Sequence, residues 1–111
     1  MSAATIALLN DLARVTLTDC RVVITQGIAA MNDLDAIMAK VQAFNDFNER
    51  NDPYGEHDFG AITHVDGNGD SQTIFWKFDY YANGEWAMAS PDPTDPTVTQ
   101  RVLTVMLAEE Y

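Results

Sequence analysis

Carboxylate, histidine and aromatic side chains are concentrated in residues 51–60, which read NDPYGEHDFG. Glu56, His57 and Asp58 are consecutive, and His64 follows in the next strand-like segment. Carboxylates and imidazoles are the usual groups of general acid–base catalysis and also bind zinc. This segment, called the acidic loop below, is therefore the first candidate for a functional site.

A predicted hairpin after the acidic loop bears on the catalytic interpretation. The pair Asn68-Gly69 favours a two-residue type I′ turn, in which both central residues need positive φ. With that turn, Asp58 lies opposite Asp79 and diagonal to Lys77. Facing carboxylates are destabilising unless one is protonated or something binds between them. The candidate catalytic residues of a small metal-assisted hydrolase are then Asp58, His64, Lys77 and Asp79. A register shift of one residue would separate them.

A structural or interaction role explains the acidic loop without catalysis, and we favour it. Asp52-Pro53 is typical of a turn, Gly55 supplies positive φ, and the carboxylates can cap the loop's own backbone amides. Residues 51–70 contain five acidic residues and no Lys or Arg. The candidate binding residues are Asn51, Asp52, Tyr54, Glu56, His57, Asp58, Asp66 and Asp70.

Two further features were considered as sites and are predicted to be structural. Residues 66–70, DGNGD, match the start of a calcium loop, but Ser71 and Lys77 replace the glycine at position six and the glutamate at position twelve. We therefore predict a hairpin turn, no metal and no cofactor. Cys20 is the only cysteine, so no internal disulfide can form. The neighbours Arg21, Val22 and Val23 favour a small core side chain over a nucleophile.

The helices and strands predicted from the sequence form a single α+β domain over residues 1–111, and they must position these residues. Helical periodicity covers residues 3–15 with Ser2 as cap, residues 33–47 behind Asn32 or Asp33, and residues 95–110. Strands are predicted at residues 21–28, 58–65 and 72–81, and around Trp86 after Asn83-Gly84. The expected architecture is three helices packed on a small, mainly antiparallel sheet, in the order α-β-α-β-β-β-α.

The same periodicity assigns core faces. On the hairpin, the expected core side chains are Phe59, Ala61, Thr63, Val65, Ile74, Trp76, Phe78 and Tyr80. On the first helix, the apolar residues Ile6, Leu8, Leu9, Leu12, Ala13 and Val15 are expected to face the core. Asn10, Asp11 and Arg14 take the other half of that helix, and we expect them to face solvent. Phe47 is expected to fold under the acidic loop.

The charge excludes some classes of partner. Seventeen acidic residues against six Lys and Arg give a net charge of −11. We expect no direct binding to nucleic acid, because such binding needs clustered Lys and Arg side chains. A protein partner with a basic surface is favoured instead. The N-terminal sequence has no basic region, and its longest apolar run is far below the ~18 residues of a membrane span, so we expect a cytoplasmic protein without membrane contact.

Three stretches resemble one bacterial family of small stand-alone proteins of unknown function: residues 47–62 (FNERNDPYGEHDFGAI), 75–81 (FWKFDYY) and 90–111 (SPDPTDPTVTQRVLTVMLAEEY). Members of that family are often carried on plasmids and other mobile elements. The resemblance implies that its signature includes Asn51, Asp52, Tyr54, Glu56, His57 and Asp58. It implies no activity, cofactor or catalytic residue.

Three functions remain open at this point. The first is a small acidic interaction protein that binds a basic surface on a protein partner, as an inhibitor or modulator of a nucleic-acid-handling system. The second is the metal-assisted hydrolase, and the third is a structural subunit of a larger complex. The first is our expectation.

Overall fold

The structure is a computed structural model that describes residues 2–111, without the side chain of Trp86. Three α-helices, five strands and a terminal 3-10 turn follow one another along these residues. They are α1 (Ala3–Thr16), β1 (Arg21–Ile24), α2 (Gln26–Ala30), α3 (Leu34–Ala43), β2 (Phe59–Val65), β3 (Ser71–Ala82), β4 (Glu85–Ala89), β5 (Thr99–Leu107) and the 3-10 turn Ala108–Glu110.

The strands form one mixed sheet in the order β1-β5-β3-β2, and β4 pairs with the far end of β3. β1 runs parallel to β5, and the other pairs are antiparallel. The helices pack on one face of this sheet, where α1, α2 and α3 contribute Ala13, Ile28 and Ile37 to the core. The α+β class and the mainly antiparallel sheet are confirmed, but the predicted order of elements is wrong at its C-terminal end.

The C-terminal segment is the main correction to the predicted fold, because a strand replaces the expected helix over residues 95–110. β5 lies between β1 and β3, and buries Val102 and Met106 on one face and Leu103 and Val105 on the other. A strand buried on both faces has no alternation of apolar and polar residues, so its pattern can be mistaken for that of a buried helix.

The segment after β1 also differs from the prediction. The strand ends at Ile24 instead of residue 28, and Gly27 lies in α2. The carboxylate of Glu110 accepts hydrogen bonds from the Gly27 amide (3.0 Å) and the Thr25 hydroxyl (2.7 Å). A Cβ at Gly27 would lie 2.7 Å from both Leu107 Cδ1 and Glu110 Oε1, so a larger residue here would have to displace these two side chains.

The β2–β3 register is shifted by one residue from the predicted one. Gly60 pairs with Trp76 and Ile62 with Ile74. The turn spans residues 66–70, and Asp66 accepts hydrogen bonds from the amides of Asn68 (2.9 Å) and Asp70 (3.0 Å). Gly69 has positive φ and Asn68 does not, so the predicted type I′ turn is wrong. Side chains alternate along a strand, so the shift brings Gly60, Ile62 and His64 to the core face and turns Phe59, Ala61, Thr63 and Val65 away.

Trp76 explains why this register is favoured. A Cβ at Gly60 would lie 2.6 Å from Trp76 Cε2, so the indole occupies the space that Gly60 leaves open. The Trp76 side chain is fully buried, and Ile74 and Phe78 lie on the same face, as predicted. Phe44 and Phe47, which follow α3, pack edge-on against the indole with centroid distances of 5.4 and 6.1 Å.

The first helix forms with Ser2 as its cap, as predicted, but its predicted core face is confirmed only for Ile6 and Ala13, which are buried. The Ser2 hydroxyl accepts a hydrogen bond from the Thr5 amide (3.2 Å). Asn10 and Arg14 are buried, whereas Leu8, Leu12 and Val15 are exposed. α1 therefore directs its polar residues at the acidic loop and the core, and leaves an apolar ridge outside.

Candidate functional site: the acidic loop

Asp52 organises the acidic loop from within. Two backbone hydrogen bonds of Asp52 close a turn. The Asp52 amide donates to the Asn48 carbonyl, and the Gly55 amide donates to the Asp52 carbonyl. Its buried carboxylate accepts hydrogen bonds from the amides of Glu56 and His57, both at 3.1 Å. The left-handed backbone of Gly55 and His57 directs those amides inward. The prediction that loop carboxylates cap the loop's own amides is confirmed for Asp52.

Asn51 is occupied by the backbone before the loop. Its Oδ1 accepts a hydrogen bond from the Asn48 amide (2.9 Å), and its Nδ2 donates to the Asp46 carbonyl (2.6 Å). Both polar atoms of the side-chain amide are therefore used within the chain. Asn51 therefore shapes the entrance of the loop.

His57 fastens the loop to α1. Its Nδ1 lies 3.0 Å from both carboxylate oxygens of Asp11, and its Nε2 lies 3.6 Å from Asp52 Oδ2. The imidazole stacks on the Phe47 ring with a centroid distance of 3.8 Å and parallel planes. The prediction that Phe47 lies under the loop is confirmed. Because a carboxylate lies beside each ring nitrogen, His57 links the acidic loop to α1.

A buried polar network holds the other end of the loop. Asn10 Nδ2 donates to the Glu56 carbonyl (3.0 Å) and the Tyr80 hydroxyl (2.7 Å), and Asn10 Oδ1 accepts from Arg101 Nε (2.9 Å). Arg14 donates to the Val41 carbonyl (2.9 Å) and to Asp11 (3.2 Å). These contacts join α1, α3, β3 and β5 at the base of the loop.

Four residues of this network were missed at the sequence level as parts of the site: Asn10, Asp11, Arg14 and Arg101. Asn10 and Arg14 are four positions apart and so share a helix face. That spacing was visible, but polar residues on one side of an amphipathic helix ordinarily face solvent. Only the position of the acidic loop over α1 explains their burial.

The loop exposes Tyr54 and leaves Glu56 and Asp58 partly buried. The Tyr54 side chain is 81% exposed. Partial burial raises the pKa of Glu56, and the charges of Asp58 and Asp52 raise it further. Burial also raises the pKa of Asp58, with contributions from Asp52 and Asp79. Within residues 2–111, no ion pair joins a cation to either carboxylate. Burial and neighbouring negative charge therefore destabilise the ionised forms of Glu56 and Asp58.

The structure does not bring the candidate catalytic residues together. His64 is buried on the helix-covered face, where its Nε2 lies 2.5 Å from Asp33 and its Nδ1 lies 3.0 Å from Lys40 Nζ. Lys77 and Asp79 form an ion pair of 2.9 Å on the opposite face. The expected pairing of Asp58 with Asp79 is wrong, because the backbone of Asp58 bonds to Phe78. The register shift thus removes the geometry on which the hydrolase interpretation depended.

Asp66 and Asp70 belong to the β2–β3 turn. A hydrogen bond from the Gln72 side chain, with others from the amides of Asp70 and Asn68, lowers the pKa of Asp66. Asp70 is exposed. Within the part of the chain that the structure describes, no group of three or more His, Cys, Asp or Glu side chains is arranged to hold a metal ion.

Cys20 is half-buried beside α1, with its Sγ 3.8 Å from the Ala13 carbonyl oxygen. Burial is the largest cause that raises the pKa of the thiol, followed by the charge of Asp19. A raised pKa leaves less of the nucleophilic thiolate at neutral pH. The side chain packs against the hydrophobic core, as predicted.

These features define a small α+β domain in which a helix layer and a sheet hold one acidic loop in place. Residues 24–110 match the family described as "Protein of unknown function (DUF3768)", and the chain belongs to that family. The matched residues include the acidic loop and leave out α1. No curated protein and no solved structure matches the chain. Among residues 2–111, no helix is long and apolar enough to span a membrane.

Proposed function

We propose that this protein is a non-enzymatic binding module whose acidic loop recognises a basic segment of a protein partner. The observation that carries the proposal is the combination of an exposed Tyr54 with Glu56 and Asp58, two carboxylates that form no ion pair within residues 2–111. Burial and, to a lesser extent, neighbouring carboxylates raise the pKa of both groups, and a Lys or Arg side chain from a partner would stabilise their ionised forms.

The distribution of charge supports a basic partner. Of the six Lys and Arg residues, Arg14 and Arg101 are buried, whereas Asp52 is the only buried member of the seventeen acidic residues. Lys77 is paired with Asp79. The outer surface therefore carries many more carboxylates than cations, and its negative potential would speed the approach of a basic surface.

The rigidity of the loop supports recognition by a preformed surface. Asp52 fixes the loop internally, and His57 and Asn10 fasten it to the helix layer. A surface that is already ordered loses less conformational entropy on binding. Tyr54 is suited to be the anchor of such an interface, because tyrosine is enriched among residues that dominate binding energy.

A finer form of the proposal names the role of the partner. Proteins that resemble this one are often carried on mobile elements, and such elements meet the nucleic-acid-handling systems of their hosts. We place the partner in such a system, with this protein as its inhibitor or modulator. The contact is with a basic protein surface, because the acidic loop would repel phosphate.

The test is to identify the protein that co-purifies with this one from its own cell, and to compare its association rate with three versions of the chain. The site variant combines Glu56→Gln and Asp58→Asn. The control removes the same charge elsewhere, with Glu85→Gln and Glu109→Gln. A third variant is Tyr54→Ala.

We expect the site variant to associate more slowly than the control, and the difference to shrink as the Debye length falls from ~30 Å at 0.01 M salt to ~10 Å at 0.1 M. Tyr54→Ala should accelerate dissociation instead, since anchors act mainly on the off-rate. Equal association rates for the site variant and the control at low salt would mean that the acidity of the loop serves only solubility.

A further inference from the structure

The exposed face of α1 has a composition that the acidic loop does not explain. Leu8, Leu12 and Val15 are 61%, 55% and 52% exposed. Their spacing of four and three residues places them on one ridge along the helix. Leu9 and Leu12 also line a groove of about 430 Å³, whose other walls include Asp19, Gln100 and Arg101, so the apolar surface is confined to the ridge.

The ridge is also free of charge. The two charged residues of α1 are Asp11 and Arg14, and both are turned towards the acidic loop and α3. The exposed positions of the helix are Ala4, Thr5, Leu8, Leu12, Val15 and Thr16. This helix face is neutral and apolar although the chain has a net charge of −11, and exposed apolar patches often mark interaction surfaces.

We infer that the ridge pairs with the same ridge of a second copy of this chain, as two antiparallel α1 helices. An antiparallel pair with its twofold axis near Leu12 sets Leu12 against its symmetry mate and Leu8 against Val15 of the other copy. The ridge is thus complementary to itself, as a twofold interface requires. A face without charge is also where two strongly acidic copies can meet with the least repulsion.

A basic partner is the less suitable occupant of this ridge. It would be steered to the acidic loop, and it would find no carboxylate to pair with on the exposed positions of α1. The family match starts at residue 24, so family membership says nothing about α1. The dimer is therefore independent of the proposed function.

The size of the ridge sets the expected strength. A helix of 14 residues is about 21 Å long, and one such pair buries less than the ~1,200 Å² of a standard interface. We expect a weak dimer that forms between about 1 μM and 1 mM chain. Salt should strengthen it, because screening weakens the repulsion between the acidic copies. Salt weakens binding through the acidic loop, so the two associations respond oppositely.

The experiment is sedimentation equilibrium of the purified chain at about 0.01 M and 1 M salt, the two ends of the screening range. Leu12→Asp is the test variant. Met88→Asp is the matched control, because Met88 is 60% exposed on β4 and gains the same charge. Losing two leucines from the interface should weaken dimerisation by about 10- to 100-fold or more, and the control should dimerise like the wild type.

A cross-link tests the geometry without a change of charge. Leu12→Cys in a Cys20→Ala background should form a disulfide-linked dimer on mild oxidation, because Leu12 lies near the twofold axis. Met88→Cys in the same background should remain largely monomeric. Circular dichroism of each variant verifies that the chain is folded.

Three results would overturn the inference. A wild-type chain that stays monomeric at about 1 mM in both salts has no such dimer. A dimer that survives Leu12→Asp uses another face. A monomeric chain whose capture of the basic partner is lost in Leu12→Asp would assign the ridge to that partner instead.

Discussion

The removal of the Asp52 carboxylate tests whether the acidic loop is built as described. The carboxylate is buried and accepts two backbone hydrogen bonds, from Glu56 and His57 at 3.1 Å. A hydrogen bond to a charged group contributes about 1.5–3 kcal/mol, so the two together contribute about 3–6 kcal/mol. Part of that loss is offset, because the charge of Asp52 also raises the pKa values of Glu56 and Asp58.

We therefore expect Asp52→Ala to lower the free energy of unfolding by about 2–4 kcal/mol, which leaves two amides without acceptors. For a chain of this length, the melting temperature should fall by roughly 8–16 °C. Urea denaturation measures the free energy. Hydrogen exchange measures the local effect, and the amides of Glu56 and His57 should exchange faster than those of β3.

Two matched variants sharpen this prediction. Asp52→Asn keeps one acceptor oxygen, so it should cost about 1 kcal/mol or less. Asp70→Ala removes an exposed carboxylate and should stay within about 0.5 kcal/mol of wild type. The reasoning would be refuted if Asp52→Ala unfolded like wild type, or if the asparagine variant were as unstable as the alanine variant.

Two further predictions concern the core and the pH dependence of stability. Trp76→Ala should lower the free energy of unfolding by ~3–5 kcal/mol, because the indole is fully buried; urea denaturation within 1 kcal/mol of wild type would contradict this. Asp58→Asn should stabilise the protein at pH 7, because the raised pKa of Asp58 means that its charged form is disfavoured in the folded state. The contribution of the Asp58 carboxyl to the free energy of unfolding is greatest below its pKa in the unfolded state. That contribution declines as pH rises through its pKa in the folded state. The advantage of the variant in urea denaturation should therefore shrink towards pH 4, and a constant advantage would exclude this cause.

Much of the local structure could be predicted from the sequence. Ser2 before an apolar run predicted the start of α1, and Asp52-Pro53 with Gly55 predicted a loop that caps itself. The position of Trp76 in the core also followed from the pattern of β3. These predictions hold because caps, turns and alternation depend on a few neighbouring residues.

The strand register could not be predicted from turn chemistry alone. Asn68-Gly69 favoured a tight type I′ turn, but Asp66 stabilises a longer one by accepting hydrogen bonds from two amides. Gly60 is the only position on β2 that leaves room for the Trp76 indole in the observed register. Packing across the sheet thus outweighed the local turn preference, and it separated the residues of the proposed catalytic set.

By itself, the sequence determined the α+β class, the acidic loop and its internal cap, because each depends on short-range pattern or composition. Only the tertiary structure decided that residues 99–107 are a central strand, because a segment buried on both faces loses the alternation that marks a strand. Only the tertiary structure decided which face of α1 is buried. Asn10 and Arg14 find acceptors and donors in the core that no local pattern reveals, and their burial leaves Leu8, Leu12 and Val15 outside.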